Sequence, residues 1–163
     1  MVHRNRSVVV EPHRTIMNAS LIVLALVGIV PLILPTTSAL RYTVHNTKVP
    51  LYEAWTQCIT KGGYLASPAT AKQNLEIWNE VKKTGTSDGW WLSGTDNGME
   101  GSWIWLSRNV PIGIINGYTN WASTEPNNHG GTEHCMRMEY TSGKWYDLSC
   151  DLSLYYVCEY YSL

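Results

Sequence analysis

Trp121-Ala122-Ser123-Thr124-Glu125-Pro126-Asn127-Asn128-His129-Gly130-Gly131-Thr132-Glu133-His134-Cys135, followed after nine residues by Trp145-Tyr146-Asp147-Leu148-Ser149-Cys150, carries the densest chemistry in the chain. Glu125, Asn127, Glu133 and Asp147 are oxygen donors: three carboxylates and one amide carbonyl. A hard cation such as calcium gathers about six to eight oxygens at about 2.3–2.6 Å. Zinc prefers nitrogen and sulfur. The four donors therefore fit Ca2+. Cys135 and Cys150 bracket the segment. A bond between them would draw Asp147 towards the Glu125–Glu133 loop, building a metal site from loops with a covalent staple.

Outward from that segment, composition narrows the class. A length of 163 residues supports one domain. Four cysteines, an even number, suit an oxidised framework in an exported protein, and they allow three pairings between which sequence does not choose. Eight Trp and ten Tyr with no Phe point to many half-buried rings whose polar edges find partners. The net charge is −1 and the cationic residues form no run outside the N-terminus, so nucleic acid is not an expected partner. No His-Glu-x-x-His string occurs, and the chain does not read as an enzyme.

The N-terminal part reads as an export signal. Arg4, Arg6 and Arg14 precede an apolar run from Leu21 to Leu34, and Thr36-Thr37-Ser38-Ala39 follows. A positive start, an apolar core and a small-residue exit describe a secretory signal peptide. The expected organisation is a signal over residues 1–39, cleaved after Ala39, and a domain over 40–163. Translation from Met17 would leave a shorter signal. A type II membrane anchor is the alternative, although the run is short of the about 20 apolar residues that span a bilayer. Either way the domain is extracellular or lumenal, where disulfides persist.

Residues 41–46 read as a strand. Leu51 to Lys61 reads as a helix with Leu51, Trp55 and Cys58 on one face, ended by Gly62-Gly63. A second helix is expected from Ala71 to Lys82, capped by Thr70 with Gln73 completing a capping box, and with Leu75, Trp78 and Val81 as its apolar face. Trp91–Gly94 and Trp103–Leu106 read as strands, as do Cys135–Tyr140 and Tyr155–Tyr160. Residues 107–134 show no regular pattern, and a loop of that length in a compact domain is usually functional. Two helices followed by short strands give an α+β domain.

Glu125-Pro126-Asn127 with Glu133, Cys135 and Trp145-x-Asp147 at these spacings resembles the C-type lectin carbohydrate-recognition domain, in its short, Glu-Pro-Asn form. Trp91-Leu92-Ser93-Gly94, Glu100-Gly101-x-Trp103-x-Trp105, Tyr118-x-Asn120-Trp121 and the outer cysteines, Cys58 and Cys158, extend the likeness over roughly residues 41–161. The resemblance implies an α+β fold with two helices, small antiparallel sheets, a long calcium-binding loop and two disulfides, Cys58–Cys158 and Cys135–Cys150. It also implies a cis bond before Pro126 and a Ca2+ ion held by Glu125, Asn127, Glu133 and Asp147. In sugar-binding members the same four residues hydrogen-bond the two vicinal hydroxyls that complete the calcium shell, and Glu-Pro-Asn implies mannose-type sugars with equatorial 3- and 4-hydroxyls. His129 is the candidate sugar-contacting side chain beside the site; an exposed loop histidine without a role is the alternative.

Two positions depart from the family pattern. Tyr146 stands where the family has Asn, which serves both as calcium ligand and as sugar donor. A neutral phenol is a poor replacement, so weakened calcium affinity is expected. An accessory calcium site would use Asp96, Glu100 and Asn128 together with Glu133, but Asn128 and His134 stand where acids are usual. Fewer charged ligands mean weaker binding. The expected function is a secreted, calcium-dependent lectin for mannose-type glycans on microbial or cell surfaces. The alternative keeps the fold and binds a protein ligand without calcium or sugar.

Overall fold

The computed structural model describes residues 39–114 and 116–161. The expected signal segment lies outside them, apart from Ala39. Among the described residues the chain forms two α-helices and eight strands. They are β1 (Leu40–Val49), α1 (Leu51–Thr60), β2 (Tyr64–Leu65), α2 (Ala71–Lys83), β3 (Trp90–Thr95), β4 (Ile104–Trp105), β5 (Val110–Pro111), β6 (Cys135–Met138), β7 (Trp145–Leu148) and β8 (Leu154–Tyr161). No helix among them is long and apolar enough to cross a membrane.

The first and last strands pair antiparallel, Leu40 opposite Tyr161 and Val44 opposite Val157, so the two ends of the domain close on each other. The sheet continues from β8 to β3, which runs parallel to it, and from β3 to β4 and β5. A second branch leaves β3 through antiparallel β6 to β7. Every residue of β3 is buried, because the strand is covered on both faces. Trp90 and Leu92 face a core with Ile77 and Val81 of α2, Met136 and Met138 of β6, and Trp145 of β7. Trp91 faces the other way, into a core with Leu51, Ala54 and Cys58 of α1, Tyr156 and Cys158.

Both disulfides are the ones implied by the resemblance. Cys58–Cys158 ties α1 to β8 across 100 residues, and Cys135–Cys150 ties the start of β6 to the segment after β7 across 15. On the chain-entropy model, loops of those lengths are worth about 4.7 and 3 kcal/mol respectively. The indole edges find partners in three cases: Trp91 Nε1 donates to the Val49 carbonyl at 2.9 Å, Trp145 Nε1 to Asn74 Oδ1 at 2.7 Å, and Trp78 Nε1 to the Tyr140 carbonyl at 2.7 Å. Trp90 Nε1 and Trp103 Nε1 are buried without one.

Local signals place both helices. Thr70 Oγ1 accepts from Gln73 N–H at 3.2 Å, and Gln73 Oε1 accepts from Ala69 N–H at 2.8 Å, so the reciprocal cap forms one residue earlier than the standard box. Gly62 adopts φ +77 after α1, the left-handed turn that glycine tolerates. The expected apolar face of α2 needs correcting. Leu75 is half exposed, and the buried positions are Asn74, Ile77 and Val81. Val81 is buried and Trp78 packs against the core as expected, but Asn74 replaces Leu75 inside, held by the Trp145 indole and by the Gly143 carbonyl, to which its Nδ2 donates at 3.2 Å. The strand expected over Trp103–Leu106 shortens to Ile104–Trp105, and β2, β5 and β7 form where the sequence patterns gave no strand.

Candidate functional site

Asp147 is the hub of the site. It sits on β7, whose partner β6 sets Asp147 opposite Met136, and its side chain is buried. Its carboxylate faces the loop over residues 121–134. Asn127 N–H donates to both oxygens, at 3.2 and 3.1 Å, and Asn128 N–H donates to Oδ2 at 2.7 Å. The loop is also fixed from behind: Ala122 N–H donates to the Trp145 carbonyl at 2.9 Å, and the Trp121 ring meets the Trp103 and Trp145 rings edge to face. The Glu125–Pro126 peptide is cis, as expected.

The other three donors gather around that hub. Asn127 Nδ2 donates to Glu125 Oε1 at 2.7 Å. Glu133 Oε2 accepts from His129 N–H at 3.1 Å, across a short 3₁₀ turn over His129–Gly131. Burial pushes the Glu125 carboxyl up, and its hydrogen bond to Asp147 and the negative charges of Asp147 and Glu133 add to this, bringing it to about 7. Burial also acts to raise Asp147. Its hydrogen bonds with Glu125 and with the backbone of Asn128 and Asn127 outweigh that and hold it below the usual carboxylate range. Two carboxylates thus crowd each other in hydrogen-bond contact, and the charge of Glu133 acts on Glu125 as well. A divalent cation with oxygen preference relieves that crowding, so the donor set fits Ca2+. His129 lies on the exposed rim, with its side chain towards solvent.

Tyr146 turns away from Asp147. Trp145 and Asp147 are buried and Tyr146 between them is not, as strand alternation dictates. The Arg137 guanidinium, on the opposite residue of β6, lies 4.8 Å from the Tyr146 ring centroid.

The accessory group lies at the other side of Asn128. Asp96 follows β3, and its Oδ2 accepts from Gly101 N–H at 2.8 Å. His134 Nδ1 lies 3.1 Å from Asp96 Oδ1 and 3.4 Å from Glu100 Oε2. Asn128 Nδ2 donates to Glu100 Oε2 at 2.5 Å, while Asn128 Oδ1 accepts from Glu133 N–H at 3.0 Å. His134 takes a place in this group that the sequence pattern had marked only as a missing acid.

A pair the sequence did not mark lies elsewhere. Glu159 on β8 is completely buried; its Oε1 accepts from Arg108 Nη2 at 2.8 Å and its Oε2 from Ser67 N–H at 3.0 Å. A single glutamate amid the tyrosines of β8 gives no sequence signal of a buried ion pair.

Comparison with known proteins settles the class. The profile of the Lectin C-type domain family matches residues 47–160, and the chain belongs to that family. Mouse (Mus musculus) collectin-10 is 34% identical over 108 residues, covering 66% of this chain and 37% of that protein. An alpha-N-acetylgalactosamine-specific lectin of Patiria pectinifera is 34% identical over 103 residues, covering 60% of this chain and 57% of that protein. The chain therefore spans between about a third and somewhat over half of those relatives. Among solved structures, the mouse scavenger receptor C-type lectin carbohydrate-recognition domain superposes with a TM-score of 0.67 at 26% identity, covering 76% of this chain and 92% of that one. A calcium-independent type II antifreeze protein superposes with a TM-score of 0.65 at 25% identity, covering 76% and 88%. The chain is a C-type lectin domain by family and by fold, and its relatives include proteins named as lectins.

Proposed function

We propose that the protein is a secreted lectin that binds mannose-type glycans through a calcium ion held by Glu125, Asn127, Glu133 and Asp147. The observation that carries this reading is the contact of the Glu125 and Asp147 carboxylates, both hydrogen-bonded by Asn127, with Glu125 raised to about 7. Bound calcium would supply a coordination centre for two vicinal hydroxyls of the sugar. The chain's own part is to hold the donors. Asp147 fixes the loop by accepting from the Asn127 and Asn128 backbone, and the Asn127 amide, now donating to Glu125, is the group to turn towards a sugar hydroxyl. Mannose preference rests on the Glu125-Pro126-Asn127 tripeptide; the relative from Patiria pectinifera is named for a different sugar.

The test is retention of the oxidised protein on immobilised mannose with millimolar calcium. Release by chelator, with no competition by galactose, is the expected result. The second reading, a protein ligand bound without calcium or sugar on the surface of cells or microbes, is favoured by Tyr146 turning to Arg137 and by the calcium-independent structural neighbour. No retention and no calcium-induced rise in Tm would select it.

A further inference from the structure

We propose that Asp96, Glu100 and His134 form a binding site for a divalent transition metal of the zinc class, separate from the calcium loop. One ligand atom from each residue can be chosen so that all lie within 4.8 Å of one another. A tetrahedral ion with bonds of about 2.0–2.1 Å sets its ligands about 3.3–3.5 Å apart. His134 Nδ1 stands 3.4 Å from Glu100 Oε2, at that spacing, and 3.1 Å from Asp96 Oδ1, slightly inside it.

The donor set selects the ion. Calcium takes oxygens and wants about six to eight of them. This group offers an imidazole nitrogen and two carboxylates, and the neighbouring amide does not add an oxygen: Asn128 gives its Oδ1 to Glu133 N–H and turns its NH2 towards Glu100. One nitrogen and two carboxylate oxygens with an open fourth position suit zinc instead.

The group is also held in place before any ion arrives. Gly101 N–H fixes Asp96 Oδ2 and leaves Oδ1 towards His134. Thr95 Oγ1 donates to the His134 carbonyl at 2.7 Å, and Asp96 N–H donates to the same carbonyl at 3.2 Å, which locks the two backbones side by side. The Asp96 carboxylate is 1% exposed, whereas Glu100 is 58% exposed, so the site has a buried floor and an open mouth.

The experiment takes the oxidised protein, strips it with chelator and titrates it with zinc and with calcium by calorimetry and thermal melts, with cobalt as a coloured substitute. Expected are a zinc-induced rise in Tm, a cobalt spectrum of four-coordinate type, and loss of both in His134→Ala and in the milder His134→Gln. His134→Asp should lose zinc and gain calcium uptake. Glu125→Gln, which damages the calcium loop, should keep the zinc response, so failure of the lectin reading and failure of this one are told apart. No zinc response in the unaltered protein, a response in both His134 variants as large as the parent's, or its loss only in Glu125→Gln would overturn the assignment.

Discussion

Both carboxylate oxygens of Asp147 accept the backbone N–H of Asn127, at 3.2 and 3.1 Å, so a residue on β7 dictates the shape of a loop twenty residues earlier in the chain. Asn128 N–H adds a third bond, at 2.7 Å. Hydrogen bonds to charged groups contribute about 1.5–3 kcal/mol each. With two N–H donors on the carboxylate, Asp147→Ala should lower stability by about 3–6 kcal/mol even without metal, and abolish calcium binding outright. Chemical denaturation and calcium calorimetry measure the two effects. A variant as stable as the parent would mean that the loop holds its shape without the aspartate.

Glu125 makes calcium binding pH-dependent. Its carboxyl is raised from 4.5 to about 7 in the metal-free protein, chiefly by burial and by its hydrogen bond to Asp147. The ion takes only the ionised form, so binding below pH 7 must expel a proton. Affinity should fall about tenfold per pH unit as pH drops below about 7. The sign for stability is the reverse. A carboxyl whose folded value lies above its unfolded value holds its proton more tightly in the folded state, so the metal-free protein gains stability as pH falls from about 7 towards 4.5. Glu125→Gln should flatten both profiles. Calorimetry and melts across that range check this, and a calcium affinity constant from pH 7 to 5 would refute it.

The sequence made the frame of the site legible because its spacings are covalent and local. Cys135, Cys150 and the Glu125–Glu133 loop follow one another within thirty residues, and Thr70 with Gln73 marks the start of α2 from adjacent positions. What it concealed depends on partners far along the chain. Asn74 reads as a surface residue, and only Trp145 and Gly143 explain its burial and the exposure of Leu75. Strand β7 is a four-residue segment with a polar centre, visible only once β6 pairs with it. His134 reads as a lost acid against a calcium pattern, and its nitrogen gains meaning only beside Asp96 and Glu100.

The Arg108–Glu159 pair should be a stability determinant. Glu159 is completely buried, and burial raises its carboxyl although Arg108 works against this. Removing one partner of a buried pair costs about 3–5 kcal/mol. Arg108→Ala should fall in that range near neutral pH. Because the raised carboxyl is then easier to protonate than in the unfolded chain, the loss should shrink as pH falls. Arg108→Ala combined with Glu159→Gln should restore part of the stability. Urea midpoints at two pH values would show this, and a pH-independent loss would contradict it.

Tyr146 tests whether the calcium loop is weakened by a single residue. Its ring is held by the Arg137 guanidinium, 4.8 Å from the ring centroid, and not by the donors around Asp147. Tyr146→Asn exchanges the phenol for an amide carbonyl, the oxygen type that calcium accepts. It also loses a half-buried cation–π contact worth about 0.5–1 kcal/mol. The variant should therefore be slightly less stable without metal, bind calcium more tightly, and stay longer on immobilised mannose. Stability falls while both binding readouts rise, which a general loosening of the fold would not produce. Unchanged calcium affinity with the small stability loss would show that position 146 lies outside the ion's reach and that the four donors act without it.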